Sequence, residues 1–404
     1  MERVAPWLRA VNTVLTPAVA GRRKKVDRLI ERAVRDAEQR TGSTARGDDE
    51  FTDDMRALLH AYADVPGLTP VGWLSAVQEV TDRIENRLRI RKLHALNPEI
   101  ADERIDRPIV VTGIPRTGTT HLQRLLAAPA GHRAPLLHQL MHPDLPTAPD
   151  HDHRRRTERT VDAMHKAVPT FGALYDMHPD KPDSCIWVLP HGIGHLVRIH
   201  PPGYVQWMLD RDAAPDYRYL KQTLQVLQHG SPRRRWVLRA PAHLWSLGPL
   251  MKTFPDAQIV WTHREPADAL ASLCSMTETA MAVNTTEADP ADIGRLWLGL
   301  LATGTDRART ERARLPAYAV LDVPYRHLTT EAPARSPRSS SASGSPGASP
   351  SRPHSTRPSP PAPAATATTS PATASAKPRS TTRWPTTSGS TTRFYRAARR
   401  TPTA

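Results

Sequence analysis

Apolar and polar positions alternate with the period of a helix through most of the first hundred residues. In VDRLIERAVRDAEQR (26–40) and GWLSAVQEVTDRIENRLRIRKLHAL (72–96), apolar side chains recur every three or four residues. That spacing places them on one face of an α-helix, and Gly42, just beyond the first segment, is a typical helix stop. We therefore predict a helical N-terminal region over residues 1–105.

The pattern changes after residue 105 to short apolar runs separated by helical stretches. The runs are PIVVTG (108–113), RRWVLRAP (234–241), AQIVWTHR (257–264) and AYAVLDVPY (317–325). Such alternation is typical of an α/β fold with a central parallel sheet covered on both faces, here over residues 106–330. Ligands in these folds bind beyond the carboxyl ends of the strands. We expect the His-, Pro- and Trp-rich segment 129–230 to be an insertion over that edge.

The composition changes abruptly near residue 331. From Ala332 to Ala404 there is no Asp, Glu, Leu, Ile, Val or Met, whereas Pro, Ser, Thr, Ala and Arg dominate. Such a stretch cannot bury enough apolar surface to offset its ordering entropy, so we predict a disordered low-complexity tail over 331–404. Residues 332–404 hold 11 positive charges and no negative ones, which leaves only +4 of the net +15 for residues 1–331.

The charge distribution and the cysteine count exclude several classes of protein. Specific nucleic-acid binding needs basic residues concentrated on a folded face, whereas this excess lies in a tail without a reading motif. Two cysteines are too few for a disulfide framework. The N-terminus lacks a signal-peptide core, and no run approaches the roughly 18 to 20 apolar residues of a membrane span. We expect a cytoplasmic protein with no membrane span and no specific nucleic-acid partner.

The chemistry-bearing motif is GIPRTGTT (113–120), which follows the first apolar run and precedes helically spaced leucines. Gly113 and Gly118 have the spacing of the ATP-type loop G-x-x-x-x-G-K-[ST], but Thr119 occupies the lysine position and the positive charge lies at Arg116. The backbone N–H groups of 117–120 would point at an anion. The alternative is a simple strand-to-helix turn. The missing lysine argues against a nucleoside triphosphate kinase or hydrolase, and no strand ends on an acidic residue that would require a magnesium ion.

Three segments in the same order carry a resemblance to a known family. GIPRTGTT resembles the 5′-phosphosulfate loop of sulfotransferases, in particular the bacterial group with the signature G-x-P-R-[ST]-G-[ST]-[ST]. RWVLRAPAHL (235–244) resembles the family's W-x-L-K-[ST]-P-x-H strand, and FPDAQIVWTHREPADALASLCSM (254–276) its F-P-D-A-x-[IV]-x-x-x-R-x-P-x-x-x-x-x-S segment. The resemblance covers roughly residues 25–330 and implies a three-layer P-loop-like fold.

The resemblance implies that the protein transfers a sulfuryl group from 3′-phosphoadenosine 5′-phosphosulfate to a hydroxyl or amine of a small-molecule, lipid or glycan acceptor, without a metal. By resemblance, Arg264 and Ser272 bind the 3′-phosphate of this donor, although Arg264 could instead form a structural ion pair. The residues that would hold the 5′-phosphosulfate are Gly113, Pro115, Arg116, Thr117, Gly118, Thr119 and Thr120.

The acceptor hydroxyl needs a group that takes its proton, and the sequence departs from the family there. Gln139 stands where part of the superfamily has a catalytic Glu, and an amide cannot serve as a base at neutral pH. His243 lies near the catalytic His of cytosolic members and is the favoured base, with His138 in reserve. Arg239 replaces the family's Lys, and we expect it to act with Arg116 on the sulfuryl group.

The insertion also contains aromatic residues and a histidine-rich run. The aromatic residues could line an apolar acceptor pocket or pack in the core. The run HDHRRR (151–156) is better explained as a polar loop than as a metal site. The aromatic residues are Tyr175, Trp187, Tyr204 and Trp207.

The resemblance breaks near YRHLTTEAPARSP (325–337). Family members continue from such a strand into a further helix and a basic loop that closes over the donor. An abrupt change to Pro, Arg, Ser, Thr and Ala is what GC-rich coding DNA gives when it is read out of frame, so we hypothesise a frameshift after about residue 330. The Gln139 substitution and this break leave a nucleotide-binding protein without turnover as the alternative function.

Overall fold

A computed structural model describes residues 4–146 and 151–329 of the chain. The predicted disordered tail and the proposed frameshift therefore lie outside the described residues. Within the two described ranges, no helix combines the length and the apolar character that crossing a membrane requires.

Four long helices form the N-terminal region. Glycines in the left-handed conformation flank α2 at Gly21 and Gly42, where φ is 65° and 62°. The hydroxyl of Thr69 caps α4 by accepting the N–H of Gly72 at 2.9 Å. The helices are α1 (Pro6–Val19), α2 (Arg22–Thr41), α3 (Asp49–Ala63) and α4 (Pro70–Leu96).

A parallel sheet of five strands follows, in the spatial order β2-β3-β1-β4-β5. All five residues of β1 are buried, as expected for a central strand covered on both faces. The structure confirms the predicted α/β class and adds the short strand β2, which sequence patterning did not indicate. The strands are β1 (Ile109–Gly113), β2 (His132–Arg133), β3 (Arg235–Arg239), β4 (Gln258–His263) and β5 (Val320–Pro324).

The remaining helices cover the sheet and build the segment between β2 and β3. Trp297 of the long helix α14 is fully buried. These helices are α5 (Thr119–Ala127), α6 (Leu137–Met141), α7 (His151–Ala167), α8 (Phe171–Leu174), α9 (Gly194–Arg198), α10 (Tyr204–Asp210), α11 (Ala214–Gln228), α12 (Leu247–Thr253), α13 (Pro266–Asn284), α14 (Pro290–Arg312) and α15 (Tyr325–Thr329).

The N-terminal helices approach the core most closely where α4 meets the end of α13. The backbone N–H of Thr69 donates to the carbonyl of Asn284 at 2.9 Å, and its hydroxyl donates to the carbonyl of Val283 at 2.7 Å. A Cβ added to Gly72 would lie 2.5 Å from the carbonyl oxygen of Asn284. Glycine is therefore required for α4 to approach the end of α13 this closely.

We expect Gly72→Ala to destabilise the protein by about 1–3 kcal/mol, because the new methyl group meets backbone atoms that cannot move aside. The matched control is Gly299→Ala, since nothing lies within 4 Å of a Cβ at that position. The control should stabilise α14 by about 0.5–1 kcal/mol. Urea unfolding measures both, and equal effects of the two substitutions would contradict the proposed crossing.

Candidate functional site

The GIPRTGTT loop leaves the carboxyl end of β1, between β3 and β4. After β1 the chain forms β2 and β3 on one side of β1, and it then forms β4 and β5 on the other side. The loop therefore lies at the switch point of the sheet. Gly113 has φ 152°, and a Cβ there would come within 2.6 Å of the backbone oxygen of Thr262. Only glycine lets the loop pass this close to the neighbouring strand.

Arg116 adopts a left-handed conformation with φ 72°, which is uncommon for a residue with a side chain. Its Nε donates to the Ser272 hydroxyl at 3.0 Å, and its Nη1 donates to the carbonyl of Leu174 at 2.7 Å. The loop, α13 and the end of α8 therefore meet at one guanidinium. Such a conformation persists where its surroundings determine it, and it is typical of functional sites.

Arg264 follows β4 and completes the junction. Its Nη1 donates to the backbone carbonyl of Arg116 at 3.1 Å, and its guanidinium lies over the Tyr325 ring at 4.7 Å. The ion pair considered from sequence exists as a contact with exposed Asp268 at 3.8 Å, which contributes little in water. Burial and the neighbouring Arg264 lower the pKa of Arg116. Two cations are thus held side by side in a place suited to an anion.

The first turn of α5 provides further hydrogen-bond donors. Thr117 is fully buried. Its hydroxyl donates to the carbonyl of Ile114 at 2.8 Å and lies 2.6 Å from the hydroxyl of Thr262. Between residues 4 and 329, masked positions excepted, the hydroxyls of Thr119 and Thr120 make no hydrogen bond with another residue. The threonines therefore divide into one that fixes the loop and two at the N-terminus of α5 whose hydroxyls have no partner among the described residues.

Arg239 is more enclosed than the sequence indicated. Only 3% of the residue is exposed, and its Nη2 donates to the Tyr175 hydroxyl at 2.8 Å and to Asp183 at 3.1 Å. Its Nε donates to the Gln123 side chain at 3.1 Å. Asp183 also accepts the indole N–H of Trp187 at 3.2 Å. The charge at the end of β3 is therefore balanced by a buried carboxylate that sequence reasoning missed.

The three residues considered at the base position each have a side-chain hydrogen bond within the fold. His243 is completely buried, its Nδ1 lies 2.8 Å from the Tyr217 hydroxyl, and burial followed by Arg239 lowers its pKa to about 3. The Gln139 side chain accepts the N–H of Leu136 at 3.1 Å. The ring of His138 bonds to the carbonyl of Pro179 at 2.8 Å. Nε2 of His243 is buried and has no hydrogen bond within the described structure.

A cavity of about 510 Å³ lies between the N-terminal helices, the insertion and α13. Tyr175 and Trp187 line it, as the sequence allowed, whereas Tyr204 and Trp207 pack behind the wall around His191. Met276 also lines it, and its sulfur lies 3.9 Å from Nη1 of Arg116. Met276 therefore lies between the cavity and the guanidinium of the loop.

A second cavity of about 680 Å³ opens on the other side of the loop, against α14. Ile114, Thr262 and Arg264 form one wall, and Arg309 of α14 forms part of the other. The described residues contain no cluster of three or more His, Cys, Asp or Glu side chains arranged to hold a metal ion.

Comparisons with known proteins agree with this geometry. A family model described as "Sulfotransferase family" matches residues 108–336, more than half of the chain. No curated protein matched.

Two solved structures are similar over most of their length. The sulfotransferase STF1 from Mycobacterium tuberculosis H37Rv is 28% identical with a TM-score of 0.67, over 74% of this chain and 85% of that one. The sulfotransferase STF9 from Mycobacterium avium is 26% identical with a TM-score of 0.66, over 74% of this chain and 79% of that one. The chain therefore belongs to the sulfotransferase family.

Proposed function

We propose that the protein transfers a sulfuryl group from 3′-phosphoadenosine 5′-phosphosulfate to a hydroxyl of an acceptor. The observation that carries the proposal is the junction at Arg116, where a P-loop, Ser272 and Arg264 come together from segments about 150 residues apart. Two guanidinium groups held side by side, whose mutual repulsion an anion would relieve, suit a donor with separated anionic groups.

We propose that the loop binds the 5′-phosphosulfate end of this donor. The N–H groups at the start of α5, the hydroxyls of Thr119 and Thr120, and Arg116 would hold the 5′-phosphosulfate. Arg264 and Ser272 would hold the 3′-phosphate, and the cavity beside Arg264 would receive the nucleoside. The donor supplies the activated sulfuryl group, and the protein supplies position and charge stabilisation.

The transfer requires an in-line approach of the acceptor oxygen from the side opposite the leaving phosphate. We propose that the cavity of about 510 Å³ provides that approach, because Met276 in its wall lies 3.9 Å from Nη1 of Arg116. The bond from oxygen to sulfur forms as the bond from sulfur to the phosphate oxygen breaks, and Arg116 stabilises the charge that the phosphate gains. The acceptor proton must pass to a base or to solvent.

The structure weakens the case for His243 as that base. Its side chain is absent from the lining of the large cavity, where its neighbour Ala242 stands instead. A base works best when its pKa lies near the operating pH, and that of His243 is lowered to about 3. We therefore propose that His243 supports the end of β3 through Tyr217.

A nucleotide-binding protein without turnover is the second candidate. The pairing of Arg239 with Asp183 favours it, because the cation at the family's Lys position is already balanced inside the protein. Donor binding is common to both candidates, so only a transfer assay separates them.

We expect 3′-phosphoadenosine 5′-phosphate to raise the melting temperature and ATP with magnesium to have no effect. Arg264→Gln should weaken nucleotide binding by about 10- to 100-fold, since hydrogen bonds to charged groups are lost. Arg314→Gln is the matched control, because that exposed residue pairs only with Glu311 on the surface of α14. Calorimetric titration measures the affinities. Stabilisation by ATP alone would contradict the proposed donor.

We expect His243→Gln to lower the rate of labelled sulfate transfer by less than tenfold, whereas loss of a general base typically costs about 10² to 10⁴. Gln139→Glu in the same assay tests whether the family's carboxylate improves transfer. A large loss in His243→Gln, with donor affinity unchanged, would restore the histidine as the base.

Burial of a neutral His243 is tested separately by stability against pH. Between pH 6.5 and about pH 3 the imidazole of His243 binds a proton in the unfolded chain but not in the native protein. The free energy of unfolding therefore falls as the pH is lowered through this range. His243→Gln should reduce this slope by about 1.4 kcal/mol per pH unit between pH 4 and 6. Tyr217→Phe should lower stability but keep the slope, and an unchanged slope in His243→Gln would show that the ring is not buried as a neutral group.

A further inference from the structure

The first helix, α1, has two apolar faces, of which the described part of the chain covers one. Leu8 and Val19 are buried, and Leu15 lies on the same side of the helix. On this side the N–H of Val71, in the first turn of α4, donates to Oδ1 of Asn12 at 3.0 Å. The inner face of α1 therefore belongs to the core of the N-terminal region.

The opposite face of α1 is apolar and exposed. Four exposed apolar residues recur there at intervals of three or four, so they form one stripe along the helix. The exposed fraction is 48% for Trp7 and 77% for Val14. Thr13 borders the stripe, and its hydroxyl donates to the carbonyl of Arg9 at 3.0 Å, so it needs no water as an acceptor. The residues of this α1 stripe are Trp7, Ala10, Val14 and Pro17.

Cations without counter-ions follow the end of α1. Three exposed basic residues in the first two turns of α2 form no ion pair with another residue of the described ranges. The carboxylates nearby are used by other side chains, since Asp27 lies 3.5 Å from Arg56 and Asp64 lies 2.7 Å from Arg23. The start of α2 therefore carries a local excess of positive charge. The three cations are Lys24, Lys25 and Arg28.

We infer that α1 and the start of α2 form a docking surface for an anionic lipid bilayer, with the α1 stripe in the interface and the three cations on lipid head groups. Tryptophan is favoured at the boundary between head groups and hydrocarbon, because its ring is apolar and its N–H is polar. Cations beside an apolar helix face add attraction to anionic lipids. The protein would lie on the membrane without crossing it. The inference does not depend on the proposed function.

Other occupants of the α1 stripe fit its surroundings less well. From Ala332 to Ala404 the chain has no Leu, Ile, Val or Met and no acidic residue, so it offers no large aliphatic side chain and no counter-charge to Lys24 and Lys25. A second copy that packed through the same face would bring the same cations close together. An anionic bilayer supplies both an apolar layer and the opposite charge.

The docking surface is joined to the walls of the large cavity. The N–H of Ala5, which precedes α1, donates to the carbonyl of Ala167 at 2.9 Å. Ala167 lines the cavity, and so does Val71, which bonds Asn12 of α1. Docking through α1 would therefore hold this cavity close to the bilayer.

Co-sedimentation of the full chain with vesicles tests the inference directly. One set of vesicles contains phosphatidylcholine alone, and the other contains phosphatidylcholine and phosphatidylglycerol. We expect binding to the anionic vesicles to be at least about tenfold tighter than to the neutral ones. Added salt should weaken it, because salt screens the attraction. Equal binding to both kinds of vesicle, or no binding to either, would overturn the inference.

The contribution of the α1 stripe is tested by Val14→Asp, which places a charge in its middle at a mostly exposed position. We expect the affinity for anionic vesicles to fall about tenfold or more, since apolar burial is lost and a like charge is added. Leu298→Asp is the matched control, because it makes the same change at a residue of α14 that is 61% exposed. Equal effects of the two substitutions would overturn the inference, since binding would then follow net charge alone.

The contribution of the cations is tested by Lys25→Gln. A cation near an anionic lipid surface contributes about fivefold to affinity, so we expect a loss of about that size. Lys252→Gln, at an exposed position of α12, is the control and should leave the affinity unchanged. Equal losses in the two variants would show that the attraction is not located at α2, and this would overturn the inference.

Folding and self-association are measured for the same variants. Unchanged melting temperatures in Val14→Asp and Lys25→Gln would show that lost binding does not come from unfolding. Sedimentation velocity without vesicles tests the alternative occupant. A wild-type dimer that Val14→Asp converts to a monomer would identify the α1 stripe as an interface between copies and would overturn the inference.

Discussion

The arrangement of the site depends on the hydrogen bonds that hold the guanidinium of Arg116. Its partners are a hydroxyl on α13 and the carbonyl of Leu174 in the insertion, and its own carbonyl accepts Arg264. These contacts fix a left-handed backbone that would otherwise be unfavourable. Because the loop, the insertion and the helix after β4 meet there, a shift of any one of them would move the anion position and the mouth of the acceptor cavity together.

The acceptor cavity is a product of the whole chain and not of the sheet domain alone. Its walls come from α4 as well as from the insertion and α13. The close approach at Gly72 places α4 against the end of α13, so this helix forms part of the cavity wall. A family resemblance that concentrates on the loop and its strand partners therefore says little about this cavity. Part of its wall belongs to helices whose sequence shows only amphipathic periodicity.

The sequence predicted the strands and the loop after β1 better than the walls of the large cavity, for a physical reason. The central strands are continuous apolar runs, and the anion loop is a contiguous segment, so local patterns were sufficient. The short strand His132–Arg133 contains too few residues for any periodicity to be visible. The pairing of Arg239 with Asp183 joins positions 56 residues apart inside an irregular segment, and no local signal marks such a contact.

The arginines of the site differ in how far the fold already neutralises their charge. Arg239 has a buried counter-ion in Asp183, so its charge is largely neutralised within the fold. Arg116 and Arg264 have no comparable buried carboxylate among the described residues, and their proximity lowers the pKa of Arg116. The two anionic groups of the proposed donor, one at each guanidinium, would reduce this repulsion and gain hydrogen bonds. Affinity for the donor should therefore come mainly from Arg116 and Arg264, while Arg239 holds the end of β3 in the orientation that the transfer requires.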